Sequence, residues 1–198
     1  AAAAAGGPAT PRAARASSFE DAQVLGRELA TALAEARAAG EPLPPRAAEL
    51  LRALVSTTQG ARGWFVTLLT DPAFEPLFRP PLEEALLQAL EASPETNARL
   101  MVMNVAMPSA MALAHEKVGS HELAAASRMT RDRASTLAAE MLGRLPGLRE
   151  ALESLLSAVV PEEPVPDEEW SKFCRKWAYN EEQKEAIRNQ VELLLSPA

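Results

Sequence analysis

The feature that most constrains the fold is the spacing of apolar residues, which recur three and four positions apart along most of the chain. The clearest stretch is PLEEALLQALEAS, residues 81–93, where Leu82, Leu86 and Leu90 alternate with Ala85 and Ala89. Such spacing places an apolar stripe along one side of a helix, whereas a half-buried strand alternates at every second residue. The pattern therefore predicts helices that bury one face each.

Composition agrees with this periodicity. Alanine and leucine, which are strong helix formers, dominate, and only 5% of the 198 residues are aromatic. The 47% of hydrophobic residues can fill one sizeable core, or one core with a small appendage. We predict an all-α fold: a multi-helix bundle of about six or seven helices, followed by a short helical C-terminal extension.

Turn and cap residues divide the chain. Ser17, with Glu20 three residues later, predicts the start of a helix that ends at Gly40, and residues 46–69 predict a single helix continuing through two glycines. Asp71 followed by a proline predicts a further start, and Gly119 predicts a break. The helix that starts at Ser17 has a predicted apolar stripe of Ala22, Leu25, Leu29, Leu33 and Ala36.

Two short helices are predicted near the C-terminus. Asp167 caps the first, and Asn180, with Gln183 three residues later, caps the second. The expected organisation is a transit-like or disordered lead, a helical bundle, an acidic proline-rich linker and a helical C-terminal segment, at residues 1–17, 18–160, 161–169 and 170–198.

The lead carries Arg12, Arg15, serine and threonine, and the first acidic residue is Glu20. This composition is typical of an organelle transit segment, plastid or mitochondrial, and also fits a disordered low-complexity lead. The longest apolar run, 100–114, contains asparagine, proline and serine and is shorter than the ~20 residues that span a bilayer. We therefore expect no transmembrane segment.

Charge and cysteine content exclude several kinds of protein. A net charge of −7 argues against non-specific nucleic-acid binding, which needs a basic surface. With Cys174 as the only cysteine, the chain forms no intramolecular disulfide and no cysteine-based zinc site. Cations beside Cys174 could lower the pKa of its thiol.

The stretch TTQGARGWFVTLLTD, residues 57–71, raises the question of a phosphate-binding loop. A helical pattern precedes its glycines and no Lys-Ser/Thr pair follows them, so that motif does not fit. Gly60 and Gly63 lie on one helix face, and we expect them to let the Met-rich helix of residues 94–118 approach closely. The alternative is that Arg62 and Trp64 form a docking point for a carboxylate or an aromatic group.

Other clusters have a packing interpretation and a functional one. His115 and His121 lack the spacing of known metal motifs, so we predict no metal site and no cofactor. The methionines can fill core gaps or line a pocket for a pigment or lipid; they are Met101, Met103, Met107, Met111, Met129 and Met141.

The C-terminal sequence WSKFCRKWAY concentrates aromatic and basic residues. Trp170, Phe173 and Trp177 are spaced to share a helix face, which either folds back onto the bundle or contacts a partner or a membrane surface. The partner-binding candidates in this segment are Trp170, Phe173, Arg175, Lys176, Trp177 and Tyr179.

At residues 57–71, and again at NVAMPSAMALAH (104–115), the chain resembles an uncharacterised family of small helical proteins shared by cyanobacteria and plastids. The shared features are a Gly-Ala-Arg-Gly-aromatic-Phe-Val core followed by Leu-Thr-Asp, and a later Ala/Met-rich helix, within residues 50–140. The resemblance implies a plastid protein of cyanobacterial ancestry and supplies no catalytic residue. The linker and the aromatic C-terminus lie outside this pattern.

No catalytic constellation stands out, so the sequence favours a non-enzymatic protein of the chloroplast, soluble or peripherally membrane-associated, rather than of the mitochondrion. The first hypothesis is an assembly factor or subunit that acts through protein partners in a plastid complex. The alternative is a carrier of a hydrophobic small molecule in a Met-lined bundle. An enzyme would need a pocket with converging polar groups.

Overall fold

The computed structural model describes residues 10–160 and 168–196, and these contain helices and no strand. The all-α prediction is therefore confirmed. The chain divides into two compact units, Ala1–Asn97 and Ala98–Ala198, and the division falls within one helix, Pro94–Lys117. None of the described helices is long and apolar enough to cross a membrane.

The first unit is built around the packing of two central helices, Phe19–Ala39 and Thr58–Thr70, against each other. Leucines and two aromatic rings fill its interior, including Leu33, Leu51, Trp64, Phe65 and Leu68. Its helices are α1 (Pro11–Arg15), α2 (Phe19–Ala39), α3 (Pro45–Leu54), α4 (Thr58–Thr70), a 3₁₀ helix (Pro72–Phe78) and α5 (Glu84–Leu90), followed by the start of α6 (Pro94–Lys117).

Two helix boundaries agree with the sequence and one is shifted. Gly40 ends α2 in the left-handed conformation, with φ 68°, and the Asp71 side chain accepts a hydrogen bond from the Ala73 backbone at the start of the 3₁₀ helix. The start of α2 is one residue later than predicted, because the Ser18 hydroxyl, rather than that of Ser17, accepts from the Asp21 backbone N–H.

The prediction of one continuous helix over residues 46–69 is wrong. The helix stops after Leu54, and α4 starts beyond Thr57, whose hydroxyl accepts a hydrogen bond from the Gly60 N–H at 3.2 Å. A threonine in extended conformation satisfies one of the free N–H groups of a new helix, so it separates two helices where the apolar pattern runs on.

Part of the predicted lead is ordered. Residues 1–9 lie outside the described part of the chain, but Pro11–Arg15 forms α1, which packs against α3 with Ala14 buried. The Thr10 hydroxyl accepts from the Ala13 N–H and caps this short helix. Disorder therefore does not describe residues 11–15, while the transit-like interpretation stays a prediction.

The second unit holds the rest of α6 and four later helices, with a core that includes Met101, Leu137, Met141, Leu155 and Ile187. Within it, α10 packs on α7 and α8, and α9 packs on α8. The helices after α6 in the described residues are α7 (His121–Met141), α8 (Leu148–Val159), α9 (Glu168–Lys176) and α10 (Glu181–Leu195).

The C-terminal helices therefore belong to a compact unit rather than to an appendage. The predicted linker, 161–169, lies outside the described residues over 161–167, as does the proposed cap at Asp167, and α9 begins at Glu168. The predicted capping box of α10 is confirmed: the Asn180 side chain accepts from the Gln183 N–H at 2.9 Å, and the Gln183 side chain accepts from the Asn180 N–H at 3.1 Å.

Candidate partner-binding surfaces

The contact between α2 and α4 depends on the missing side chain of Gly63. A Cβ atom at this position would lie 2.5 Å from Ala22 Cβ, 2.9 Å from the Ala22 carbonyl carbon and 3.0 Å from the Gln23 nitrogen. Gly63 thus serves close helix packing, as expected, but the helix that approaches it is α2; the expectation of the Met-rich helix was wrong. Gly26 of α2 also faces Trp64, but a Cβ there would lie 3.6 Å away, an ordinary contact distance, so the crossing depends on Gly63 and not on Gly26.

Gly60 serves the turn between α3 and α4. A Cβ at Gly60 would lie 2.0 Å from the carbonyl oxygen of Leu54, the last residue of α3. Any side chain at Gly60 would therefore force apart the end of α3 and the first turn of α4. The two glycines of the sequence motif have separate neighbours, one in a turn and one in a helix crossing.

Arg62 and Trp64, which the alternative interpretation groups into one docking point, lie in different surroundings. Trp64 is 0% exposed, and its indole N–H has no hydrogen-bond partner among the described residues, so Trp64 is a core residue and not a partner contact. Arg62 is exposed, and its guanidinium carbon lies 5.3 Å from the centre of the Phe19 ring, a cation–π contact with the first residue of α2.

Beside this crossing, α2 and α4 border an open groove of about 720 Å³. Two valines, Val24 and Val66, line it and remain in contact with solvent. Sequence reasoning missed this groove. The signal was present in Val24, an apolar residue that lies off the predicted stripe of α2, which is Ala22, Leu25, Leu29, Leu33 and Ala36.

Three of the C-terminal aromatic candidates are buried within the second unit. The Trp170 and Phe173 rings meet edge to face with centres 5.5 Å apart, and Phe173 meets Tyr179 at 5.9 Å. All three residues are buried; Trp170 and Phe173 lie on α9, which packs on α8, and Tyr179 lies beyond the end of α9. The packing alternative therefore describes Trp170, Phe173 and Tyr179, whose rings contact the fold rather than solvent.

The other candidates of this segment lie at the exposed C-terminal end of α9 and at the turn that follows it. Trp177 is 44% exposed, Arg175 and Lys176 are exposed, and the Lys176 ammonium lies 5.9 Å from the centre of the Trp177 ring. Ala178 follows with a positive φ of 49°, so the chain turns sharply between α9 and α10. We call residues 175–177 the RKW turn.

Burial controls the acidity of the two titratable groups next to this aromatic cluster. Burial raises the pKa of the Cys174 thiol above 9.0, and the charges of Lys184 and Arg175 oppose this more weakly. The expectation of a lowered thiol pKa was therefore wrong. Burial, followed by the nearby Cys174, also raises the pKa of the Tyr179 hydroxyl well above 10.0.

The histidines lie at the junction of α6 and α7. The exposed His121 ring pairs with Glu116 at 3.0 Å, and Arg128 donates to the same carboxylate at 3.0 Å; these two hydrogen bonds lower the pKa of Glu116, with that of Arg128 the stronger. No group of three or more His, Cys, Asp or Glu side chains within residues 10–160 and 168–196 is arranged to hold a metal ion.

The methionines occupy different environments. Met101 and Met141 are fully buried, Met111 is exposed, and Met103, Met107 and Met129 are half-buried. The groove beside α2 has no methionine in its lining. The Met-lined pocket of the carrier hypothesis therefore has no counterpart in that groove.

The comparisons with known proteins gave one match, to the model of a family described as uncharacterised conserved protein UCP020893, over residues 18–194. An uncharacterised family was expected, but the match is much longer than residues 50–140 and includes the proline-rich linker and the aromatic C-terminus. The family model therefore extends over both segments, which the resemblance had left outside its pattern. Neither a curated protein nor a solved structure matches the chain.

Proposed function

We propose that this chain, which belongs to the family of uncharacterised conserved protein UCP020893, is a non-enzymatic plastid protein. It acts as an assembly factor or as a subunit of a larger complex, through protein–protein contacts. The observation that carries this proposal is the RKW turn, which holds a half-exposed tryptophan between a helix end and a sharp bend. Tryptophan and arginine are the side chains most enriched among residues that dominate binding energy at protein interfaces.

The surroundings of the turn support a binding role. Phe173 and Tyr179, on either side of it in the sequence, are buried and in ring contact, so the chain is held firmly at both ends of the exposed segment. A partner that covers Trp177 would bury apolar ring surface without first ordering a loose loop, which reduces the entropy cost of association.

The compartment is a further part of the proposal. It is supported by the Arg- and Ser-containing N-terminal sequence without acidic residues before Glu20, and by the resemblance of residues 57–71 and 104–115 to proteins of cyanobacteria and plastids. In the plastid the protein would be soluble or associated with a membrane surface through its partners.

The experiment is native purification of the tagged full chain from plastid extract, in parallel with Trp177→Ala and Leu193→Ala variants. Leu193 is 69% exposed on α10 and serves as a matched apolar control. We expect the same large complex with the parent chain and with Leu193→Ala. Trp177→Ala should weaken the complex by about 2 kcal/mol, a roughly thirtyfold loss of affinity, while leaving the unfolding midpoint unchanged.

Recovery of the parent chain as a monomer without companion subunits would contradict the proposal. Equal recovery of companions with Trp177→Ala and the parent chain would leave the role in assembly standing but remove the RKW turn as its contact surface.

A further inference from the structure

The groove between α2 and α4 follows one long face of α2. Its α2 side is formed by positions 20, 23, 24, 27, 28, 31, 32 and 35, which recur three and four residues apart. From 20 to 35 this face is about 22 Å long at 1.5 Å per residue. The α4 side is formed by Val66, Thr67 and Thr70.

The groove has apolar surface in contact with water. Val24 on α2 is 64% exposed and Val66 on α4 is 36% exposed. Ala32 continues this apolar strip along α2. An amphipathic helix that binds in a groove places its apolar side chains on such a strip, at intervals of three and four residues.

The charges along the groove define what kind of helix fits. Glu20, Glu28 and Glu35 line it, and within residues 10–160 and 168–196 none of the three forms an ion pair. The one cation of the lining, Arg27, is paired with Asp71. The groove therefore presents a row of carboxylates without matching cations.

The spacing of this row fits a helix better than an extended peptide. Glu20 and Glu28 are eight residues apart and Glu28 and Glu35 are seven apart, which corresponds to about 12 and 10 Å along α2. Cations at every seventh residue of an adjacent helix have the same separation, as in the charged flanks of paired helices. Glu20 also has a local role, because an acidic residue in the first turn of a helix stabilises it; Glu28 and Glu35 have no such role.

We infer that this groove is the docking site for a basic amphipathic helix of a partner protein, with Lys or Arg about every seventh residue beside an apolar stripe. The apolar stripe covers Val24 and Val66, and the cations face Glu28 and Glu35. Complementary charge selects this partner over an acidic or neutral helix. The inference gives the first unit a binding surface of its own and does not depend on the RKW turn.

The test uses the full chain and a synthetic peptide of about 18 residues, built from Leu, Ala and Lys with lysine at every seventh position, beside the same peptide with Glu in place of Lys. We expect fluorescence anisotropy to show saturable binding of the lysine peptide that weakens with salt, and none of the glutamate peptide. Amide NMR shifts should change at residues 20–35 and 66–70.

Matched variants distinguish binding in the groove from a general attraction of the lysine peptide to the negative charge of the chain. The double change Glu28→Lys and Glu35→Lys should weaken binding by about tenfold or more, because it replaces attraction by repulsion. The control is the double change Glu49→Lys and Glu153→Lys, which alters the net charge equally at exposed residues of α3 and α8 outside the groove and should bind within about twofold of the parent. Val24→Ser tests the apolar strip without altering charge and should also weaken binding.

Three results would overturn the inference. The lysine peptide could fail to bind, Glu49→Lys with Glu153→Lys could weaken binding as much as the groove variant, or the chain alone could be a dimer that Glu28→Lys with Glu35→Lys makes monomeric. In the last case the occupant is a second copy. None of these results bears on the Trp177→Ala experiment, so the two proposals fail separately.

Discussion

The hydroxyl of Tyr179 is buried and has no hydrogen-bond partner among the described residues. Its raised pKa means that the folded chain keeps this proton at pH values where the unfolded chain, with a pKa near 10.0, releases it. The contribution to stability is therefore fully present below the unfolded pKa and is lost as the pH rises through and beyond it.

Because Tyr179 is the only tyrosine in the chain, tyrosinate absorbance reports on it alone. We expect the folded chain to titrate at higher pH than the chain in denaturant. Tyr179→Phe should keep or slightly raise stability at neutral pH, since it removes a buried unpaired hydroxyl, and should lose less stability than the parent between about pH 9 and 11.

Cys174, whose raised pKa also favours the folded state at lower pH, leaves part of the alkaline dependence in the variant. Identical titration of folded and denatured chains, or an equal alkaline loss in parent and variant, would contradict burial of this hydroxyl.

At the residue scale, the aromatic cluster could be predicted from the sequence. Which of its rings stays exposed to solvent, that of Trp177, could not. Trp170, Phe173 and Trp177 have the spacing of one helix face, yet α9 ends at Lys176, so Trp177 leaves the face that its spacing predicts. The cations beside Cys174 were visible in the sequence, whereas the burial that outweighs their effect on the thiol depends on tertiary packing.

At the scale of helices, the clearest prediction concerns the stability of the contact between α2 and α4. Gly63→Leu should lower the free energy of unfolding by about 2–3 kcal/mol, because a side chain there meets the Ala22 backbone, which cannot move aside as a flexible side chain can. Leucine favours a helix over glycine by roughly 0.8 kcal/mol, and the expected loss of stability is the net value after this gain. Urea denaturation followed by circular dichroism measures the change.

Gly143→Leu is the matched control. Gly143 is exposed, and a Cβ there would meet nothing within 4 Å, so the same substitution should change stability by no more than about 0.5 kcal/mol. Equal stability of the two variants would show that α2 and α4 do not need glycine at their contact.

The helices themselves were largely predictable, since Gly40, Asp71, Gly119 and Asn180 mark boundaries that the structure has. The break between α3 and α4 at residues 55–57 could not be predicted, because the apolar pattern continues across it. The new helix begins there because the single hydroxyl of Thr57 caps its first turn. The sequence also could not show which helix packs against Gly63. A glycine indicates that another helix approaches closely, but the packing of the whole unit determines which helix this is.

At the scale of the whole molecule, a protein-binding role and a carrier role predict different results for the natively purified protein. We expect the purified chain to be colourless and free of stoichiometric lipid, because Met101 and Met141 are fully buried in packed cores and the groove beside α2 carries three carboxylates. Carboxylates next to an apolar ligand would lose hydration without gaining a partner.

An absorbance spectrum and lipid mass analysis of natively purified protein measure this, with the refolded chain as the control that holds no native ligand. The two preparations should unfold at the same midpoint. A pigment or lipid present in equal molar amount, or a lower midpoint after refolding, would favour the carrier.

The contact of Gly63 with Ala22 also has a consequence for the history of the family to which the chain belongs. The space that a side chain would take at position 63 is already filled by the methyl group at position 22, so the two positions cannot enlarge independently. Because the Ala22 carbonyl carbon and the Gln23 nitrogen would also meet a side chain at position 63, we expect relatives with this helix crossing to keep glycine at position 63 and a residue no larger than alanine at position 22. Such a pair of small residues could be recognised in sequences alone, and it would trace the crossing through relatives in which the surrounding motif has diverged.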